Sequence, residues 1–232
     1  MTYRALVTGA GREGGIGQAI VKRLEADGME VVTLDKEQGC TWQVDVTHVD
    51  LPDFGQVDVY VANAAVTTLF GAAHTFDLAK WQLDLDVNLT GTFRILQQCL
   101  TGMRERGYGR IVVISSTSAV QGMPAQVSYA SSKAGLLGMM KTVAAENVRT
   151  GVTANAVLPG MTASSGILGM PEEIKDAWLE SLPNGFVDPA DIANGVSFFA
   201  SPSSGMVTGQ VLTVDGGDEL NTRSVTSSMV KH

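Results

Sequence analysis

Residues 3–17 read YRALVTGAGREGGIG. The first part, YRALVT (3–8), is a short apolar run with β-branched residues, the pattern of a buried strand, and it opens directly onto glycines. Gly9, Gly11, Gly15 and Gly17 allow a sharp turn and a close approach of backbone to ligand. The helical pattern starting at Ile16 offers free N–H groups and a positive dipole end at the same place. Strand, glycine turn and amphipathic helix in this order are the context in which such a turn cradles a dinucleotide pyrophosphate, with Arg12 beside it. A glycine-rich stretch taken alone also serves as a purely structural turn.

Outward from this turn, β-branched runs alternate with helical stretches. Strands are expected at 29–35, 40–46, 57–65, 109–116, 151–160 and 209–217, after the first at 3–8. Helices are expected at 16–28, 76–107 (with a break near Asn88–Gly91), 127–149 and 188–201. This alternation predicts an α/β, doubly wound, three-layer fold with a seven-stranded parallel sheet. Only 11 residues separate Asp45 from Val57, with Pro52 and Gly55 among them, so the helix between strands three and four is expected to be shortened or missing. The irregular segment 161–187 follows the sixth strand and reads as a substrate lid; an ordinary surface loop with a short helix is the other reading. The polar tail 218–232 is expected to fray at its end.

Composition bounds the function. The 232 residues fit a single domain spanning 1–232, and 44% hydrophobic against 17% charged residues supply a sizeable core. A net charge of −8 without a Lys/Arg cluster argues against nucleic acid or an anionic membrane as partner. No apolar run approaches the roughly 20 residues needed to span a bilayer, and no secretory leader is expected ahead of Tyr3. Cys40 and Cys99 make no disulfide framework, and the three His are scattered, so a cytoplasmic protein without a metal site is expected.

Asp35 ends the second strand, 18 residues after Gly17. A carboxylate there accepts hydrogen bonds from an adenosine ribose diol and repels a 2′-phosphate, which favours NAD over NADP; Lys36 and Arg12 partly offset the repulsion. Tyr129 and Lys133 stand four apart in a helical stretch and share a face. A phenol with an ordinary pKa of about 10 needs help to act as a base, and an ammonium one turn away provides it. Ser116 at the end of the fifth strand is placed to hold a substrate oxygen, and Asn88 at the helix break to bind a water or a carbonyl.

Taken together these motifs resemble the short-chain dehydrogenase/reductase family over nearly the whole chain. TGAGREGGIG (8–17) resembles the family's TGxxxGxG, and ANAA (62–65) its NNAG. Asn88 in VNLTG, Ser116 in VISS, and Tyr129 and Lys133 in YASSK match its catalytic tetrad, with the usual 13-residue interval from Ser116 to Tyr129. The resemblance implies a Rossmann fold and a NAD-dependent oxidoreductase interconverting a secondary alcohol and a ketone by hydride transfer. It implies that Tyr129 is the acid/base, that Lys133 lowers its pKa, holds the nicotinamide ribose and relays protons, and that Asn88 holds a relay water through its backbone. It implies further cofactor contacts from Asp45, Val46, Asn63, Ala64, Ala65, Pro159, Gly160, Thr162 and Ser164, and a homotetramer, or a dimer, built on the long helices. The glycine turn departs from the family by two extra residues before Gly15-Ile16-Gly17, and Ala65 stands where the family has glycine.

Position alone nominates Ser118, Gln121, Gly122 and Met123 after Ser116, and Met161, Ile167, Leu168 and Trp178 in the lid, as a mainly apolar substrate slot; all of these equally suit packing. A small or medium hydroxy compound is the expected substrate. Three functions remain open: this oxidoreductase, an epimerase or dehydratase on the same scaffold, and a dinucleotide-binding regulator without turnover.

Overall fold

The computed structural model describes residues 2–48, 50–67 and 69–220. Among these, seven parallel strands form one sheet: β1 (Arg4–Thr8), β2 (Glu30–Asp35), β3 (Trp42–Gln43), β4 (Val59–Ala62), β5 (Gly109–Ile114), β6 (Val152–Pro159) and β7 (Val211–Val214). Their order is β3-β2-β1-β4-β5-β6-β7. The chain runs outward from β1 to β3, crosses back to β4 and then proceeds the other way. The loops leaving β1 and β4 therefore diverge and open a crevice at the carboxyl edge of the sheet. The expected doubly wound architecture is present, and the expected fraying of the C-terminal end falls on residues 221–232, outside the described residues.

Alternation along each strand divides the core between two layers. Ala5, Val7, Val59, Val61, Val112 and Ile114 face α1 (Ile16–Ala26) and α8 (Pro189–Ala200). Leu6, Tyr60, Ile111 and Val113 face α3 (Thr92–Arg106) and α5 (Val127–Asn147). No helix among the described residues is long and apolar enough to cross a membrane.

The connection from β3 to β4 contains no helix among its described residues, as its length required. Phe54 and Val57 fill the place of one by burying their side chains in the α3/α5 layer, with Phe54 edge-on to Trp42 at 5.3 Å between ring centroids. Side chains from neighbouring elements satisfy its backbone: Arg94 donates to Thr47 O (2.7 Å), Gln98 to Pro52 O (3.0 Å), Arg4 to Phe54 O (2.7 Å) and Arg106 to Val57 O (2.6 Å). An irregular buried segment needs such partners, because its carbonyls have no helix to bond within.

The third strand is shorter than the expected 40–46. It lies at the sheet edge and pairs only with the end of β2, through Leu34–Trp42 and Asp35–Gln43. Gly39, at φ +90°, turns the chain before it, and hydrogen bonds from Thr47 to Asp45 turn it after. The expected break in the long helical stretch is a π-helical turn, Asp86–Gly91, between α2 (Leu78–Leu85) and α3. Gly91 is required there, since a Cβ would lie 2.8 Å from the carbonyl oxygen of Val46. Three short helices were not expected individually: α4 (Ser118–Gln121), and α6 (Ser165–Leu168) and α7 (Glu172–Ser181) within the 161–187 segment.

Candidate active site

The glycine loop leaves β1 at Gly9, whose φ of +72° suits glycine alone. A Cβ at Gly9 would stand 2.6 Å from Ala64 Cα, and one at Gly17 would stand 2.2 Å from Gly9 O. Both glycines thus let the loop lie against the end of β4 and the start of α1. Asn63 fastens the loop to β4, donating to Thr8 O (3.0 Å) and Gly9 O (2.9 Å), while Thr8 Oγ1 accepts from the amides of Asn63 and Ala64. Gly15 is the N-cap of α1 and supplies no capping side chain. By contrast, Asp77 caps α2 and Asp188 caps α8. The first-turn amides of α1 are left for an anion. Ile16 packs its side chain into the core, so its backbone is what it offers a ligand. The loop's two extra residues turn at Gly14 (φ +65°) and bring Arg12 toward α6, where a Cβ on Gly166 would lie 3.5 Å from Arg12 Nη1.

Asp35 ends β2 beside this loop. Its Oδ2 accepts from Gly11 N at 2.8 Å and its Oδ1 from Glu37 N at 3.1 Å. A Cβ on Gly11 would meet Glu37 Cβ at 2.7 Å, so a second acidic side chain stands next to the first. Asp45 follows β3; burial works against its charge, but the amide and hydroxyl of Thr47 outweigh that and hold its pKa below the ordinary value. Val46 is buried under Gly91. Ala65 is half-buried just past Asn63 and Ala64. Across the crevice, Pro159 ends β6, and a Cβ on Gly160 would clash with Asp215 at 2.7 Å. Thr162 is buried with its hydroxyl on Gly160 O (2.9 Å), and Ser164 is the N-cap of α6. These groups lie at the carboxyl ends of the strands, where glycines at 9, 11, 17 and 160 keep the backbone free of side chains. They fit an extended dinucleotide.

Ser116, Tyr129 and Lys133 converge at the same edge. Ser116 lies two residues beyond β5, buried, with its Oγ donating to Ser118 Oγ and accepting from Ser118 N, both at 3.2 Å. Tyr129 lies in the first turn of α5, and its hydroxyl is hydrogen-bonded to Ser116. Lys133 is buried to 2% exposure, donates to Ile114 O at 2.8 Å, and holds its Nζ 5.7 Å from the Tyr129 ring centroid. Burial raises the Tyr129 pKa above the ordinary value, with Ser116 lowering it and Asp84 raising it further. Burial also brings the Lys133 pKa down to about 8, against the pull of Asp84. For Tyr129 the net direction is upward, because burial outweighs the hydrogen bond with Ser116.

Asn88 is fully buried in the π-turn, and its side chain is committed to the neighbouring loop and helix. Its Oδ1 accepts from Val66 N (2.8 Å), and its Nδ2 donates to Val66 O (3.2 Å) and Ser132 Oγ (3.0 Å), tying the loop after β4 to α5. Ser118 joins the site through Ser116. Met123, Met161, Trp178 and Ile167 are half-buried, whereas Gln121, Gly122 and Leu168 are exposed. Met161 is held by its carbonyl, which accepts from Val187 N (2.9 Å), and Lys175 is bound to Glu172 and Leu168 O within the 161–187 segment. Gly135 of α5 is explained within the chain, since a Cβ there would press on Leu89 at 2.9 Å.

The sequence reading missed Asp84 and Ser128, which are buried and bonded to each other directly behind Tyr129. A four-residue echo was there to be read: Asp84 and Asn88 on one helical run, Ser128 and Ser132 on the other.

The loop joining α4 to α5 carries a strained residue, Ala125 at φ +66°, held by a hydrogen bond from Gly71 N to its carbonyl (2.9 Å). Left-handed backbone costs alanine about 1–2 kcal/mol, part of which glycine returns as chain entropy. Ala125→Gly should therefore stabilise the fold by about 0.5–1 kcal/mol, read as a higher midpoint of chemical denaturation at unchanged slope.

A family model described as enoyl-(acyl carrier protein) reductase matches residues 44–218. The chain is 34% identical to an acetoacetyl-CoA reductase of Rhizobium meliloti, covering 94% of this chain and 98% of that protein. It is 36% identical to the 3-oxoacyl-[acyl-carrier-protein] reductase MabA of Mycobacterium bovis, covering 91% of each. Among solved structures it is similar to an actinorhodin polyketide ketoreductase variant crystallised with NADPH, with a TM-score of 0.84 at 32% identity, covering 93% of this chain and 97% of that one.

Proposed function

Because the chain belongs to the short-chain dehydrogenase/reductase family, we propose that it is a NAD-dependent oxidoreductase interconverting a secondary alcohol and a ketone. The observation that carries this reading is the convergence of Ser116, Tyr129 and Lys133 at the carboxyl end of β5, on the same edge of the sheet as the glycine loop after β1 and Asp35 at the end of β2. Gly9 to Gly17, Asp35, Asp45, Val46, Asn63 to Ala65, Lys133 and Pro159 to Ser164 are the residues that would hold the dinucleotide. When bound, it supplies or accepts the hydride.

The chain's own groups handle the proton and the geometry. Tyr129 Oη gives a proton to the substrate oxygen in reduction and takes one in oxidation, and Ser116 Oγ holds that oxygen by a hydrogen bond. Lys133, in its protonated form, favours the phenolate electrostatically and carries protons toward solvent. Asn88 keeps the π-turn and the loop after β4 in register with α5, so that Tyr129 is presented at a fixed depth. Because burial raises the Tyr129 pKa, oxidation gains toward high pH and reduction toward low pH.

The segment 161–187 is the substrate lid in this reading, with Met123, Met161 and Trp178 giving an apolar slot. The reductases it resembles are named for acyl thioesters, which makes 3-oxoacyl thioesters the second substrate class. A chain of net charge −8, whose lid lysine is already bonded within the lid, is poorly suited to an acidic carrier or a CoA phosphate. A small or medium, largely apolar alcohol or ketone is therefore the favoured class, handled by a homotetramer of the family's kind. The decisive measurement is absorbance of reduced nicotinamide with a panel of free alcohols and 3-oxoacyl thioesters. A net change with free alcohols is expected. Product without net change would mean epimerase or dehydratase chemistry, and tight NAD binding without product would mean a regulator.

A further inference from the structure

Two buried polar rungs join the α2–π-turn run to α5. Asn88 bonds Ser132, and Asp84, one helical turn earlier, accepts from Ser128 Oγ. Ser128 immediately precedes Tyr129 and lies five residues before Lys133. Asp84 is fully buried, at 0% exposure, and its second oxygen, Oδ1, has no hydrogen-bond partner among the described residues. A carboxyl buried with one oxygen idle is unfavourable as a structural pin, since a neutral side chain would hold the rung without the desolvation. Its position suggests that the charge itself is used.

We propose that Asp84 is a positioning residue that sets the charge state of the Tyr129–Lys133 pair from behind. This rests on the assignment of that pair as the proton-transfer machinery. Asp84 interacts electrostatically with both members, helping Lys133 keep its proton and making the Tyr129 phenolate harder to form. The other charged groups on the packed elements are placed differently. Lys80, one turn earlier on α2, is exposed, and Asp86 on the π-turn is occupied by Gln82. Tyr129 and Lys133 are the ionisable groups that face Asp84 from α5. Interacting sites lose protons as a pair, so a nearby negative charge raises the pH at which the pair first gives one up, whichever group releases it.

The test is the pH profile of kcat/KM for alcohol oxidation in Asp84→Asn, which keeps the acceptor for Ser128 and removes the charge. The acid limb should move to lower pH by on the order of one unit, a ten-fold gain relative to plateau at a fixed pH below the limb. Ser128→Ala strips the carboxylate of its donor, promotes its protonation, and should move the limb the same way by less. Near-ultraviolet titration of the phenols should show the same displacement without turnover. An unmoved limb in Asp84→Asn, even with a lower rate, overturns the proposal; should that variant not fold, an unmoved limb in Ser128→Ala overturns it instead. Tyr129→Phe separates the two assignments: if it is inactive while the Asp84→Asn limb stays put, only the Asp84 role fails, and if it is fully active the pair itself is misassigned.

Discussion

Tyr129→Phe should lower kcat by about 10²–10⁴-fold in both directions while leaving cofactor affinity nearly unchanged. The substitution deletes one oxygen. The ring remains against Lys133 Nζ, and Ser116 keeps its bonds to Ser118, so the site is not emptied or unlatched. What is lost is the group that exchanges a proton with the substrate oxygen. Because the missing interaction belongs to the transition state, the loss should fall on kcat and kcat/KM alike rather than on KM. Steady-state kinetics in both directions, with fluorescence titration of reduced cofactor as the binding control, checks this. Ser116→Ala is the useful companion: it removes a hydrogen bond to the same oxygen but no titrating group. It should reduce the rate less and leave Tyr129 harder to ionise, moving the oxidation limb to higher pH, since the Ser116 hydrogen bond lowers the Tyr129 pKa. Turnover near wild type in Tyr129→Phe would sink the acid/base assignment.

Most of the architecture was legible because a parallel sheet buried on both faces writes its strands as continuous apolar runs. RALVT, VYVA and GRIVVI are read this way without any partner in view. The absent crossover helix was legible by length alone. The extent of β3 was not: an edge strand stops where its neighbour stops, and β2 ends at Asp35. Helices α6 and α7 were hidden for a related reason, being short elements whose order depends on tertiary contacts such as the Thr162–Val187 bridge. At the site, Tyr129, Lys133 and Ser116 were recognisable by their residue types and intervals, through the family pattern they resemble. Asp84 was not, because a carboxylate in an amphipathic helix ordinarily faces water; only the packing of α2 on α5 turns it inward. The balance of the two pKa values was illegible for the same reason. Spacing places an ammonium near a phenol, but burial, which no local pattern records, decides how far each gives way.

Asp35→Asn should shift cofactor preference toward NADP by about 2 kcal/mol, roughly thirty-fold in the ratio of dissociation constants. An asparagine oxygen preserves the bond from Gly11 N, so the glycine loop keeps its anchor, while the asparagine NH2 cannot accept from Glu37 N and that bond is given up. In the proposed cofactor site the carboxylate would stand beside the adenosine ribose, repelling a 2′-phosphate and accepting from a free diol. Asparagine still accepts from one hydroxyl, so NAD should weaken only modestly while NADP gains most of the change. Reversal should remain incomplete, because Glu37 stands against the same loop and keeps its charge, with its Cβ against the space beside Gly11. Adding Glu37→Gln should then release a further, smaller increment. The measurement is the dissociation constant for each reduced cofactor at low and moderate salt. A preference created by charge narrows as salt rises, whereas one created by shape does not. If wild type already binds both cofactors equally and Asp35→Asn changes neither, the ribose-side carboxylate is not the discriminator. In that case Arg12, carried toward α6 by the lengthened loop, becomes the residue whose guanidinium offsets the repulsion.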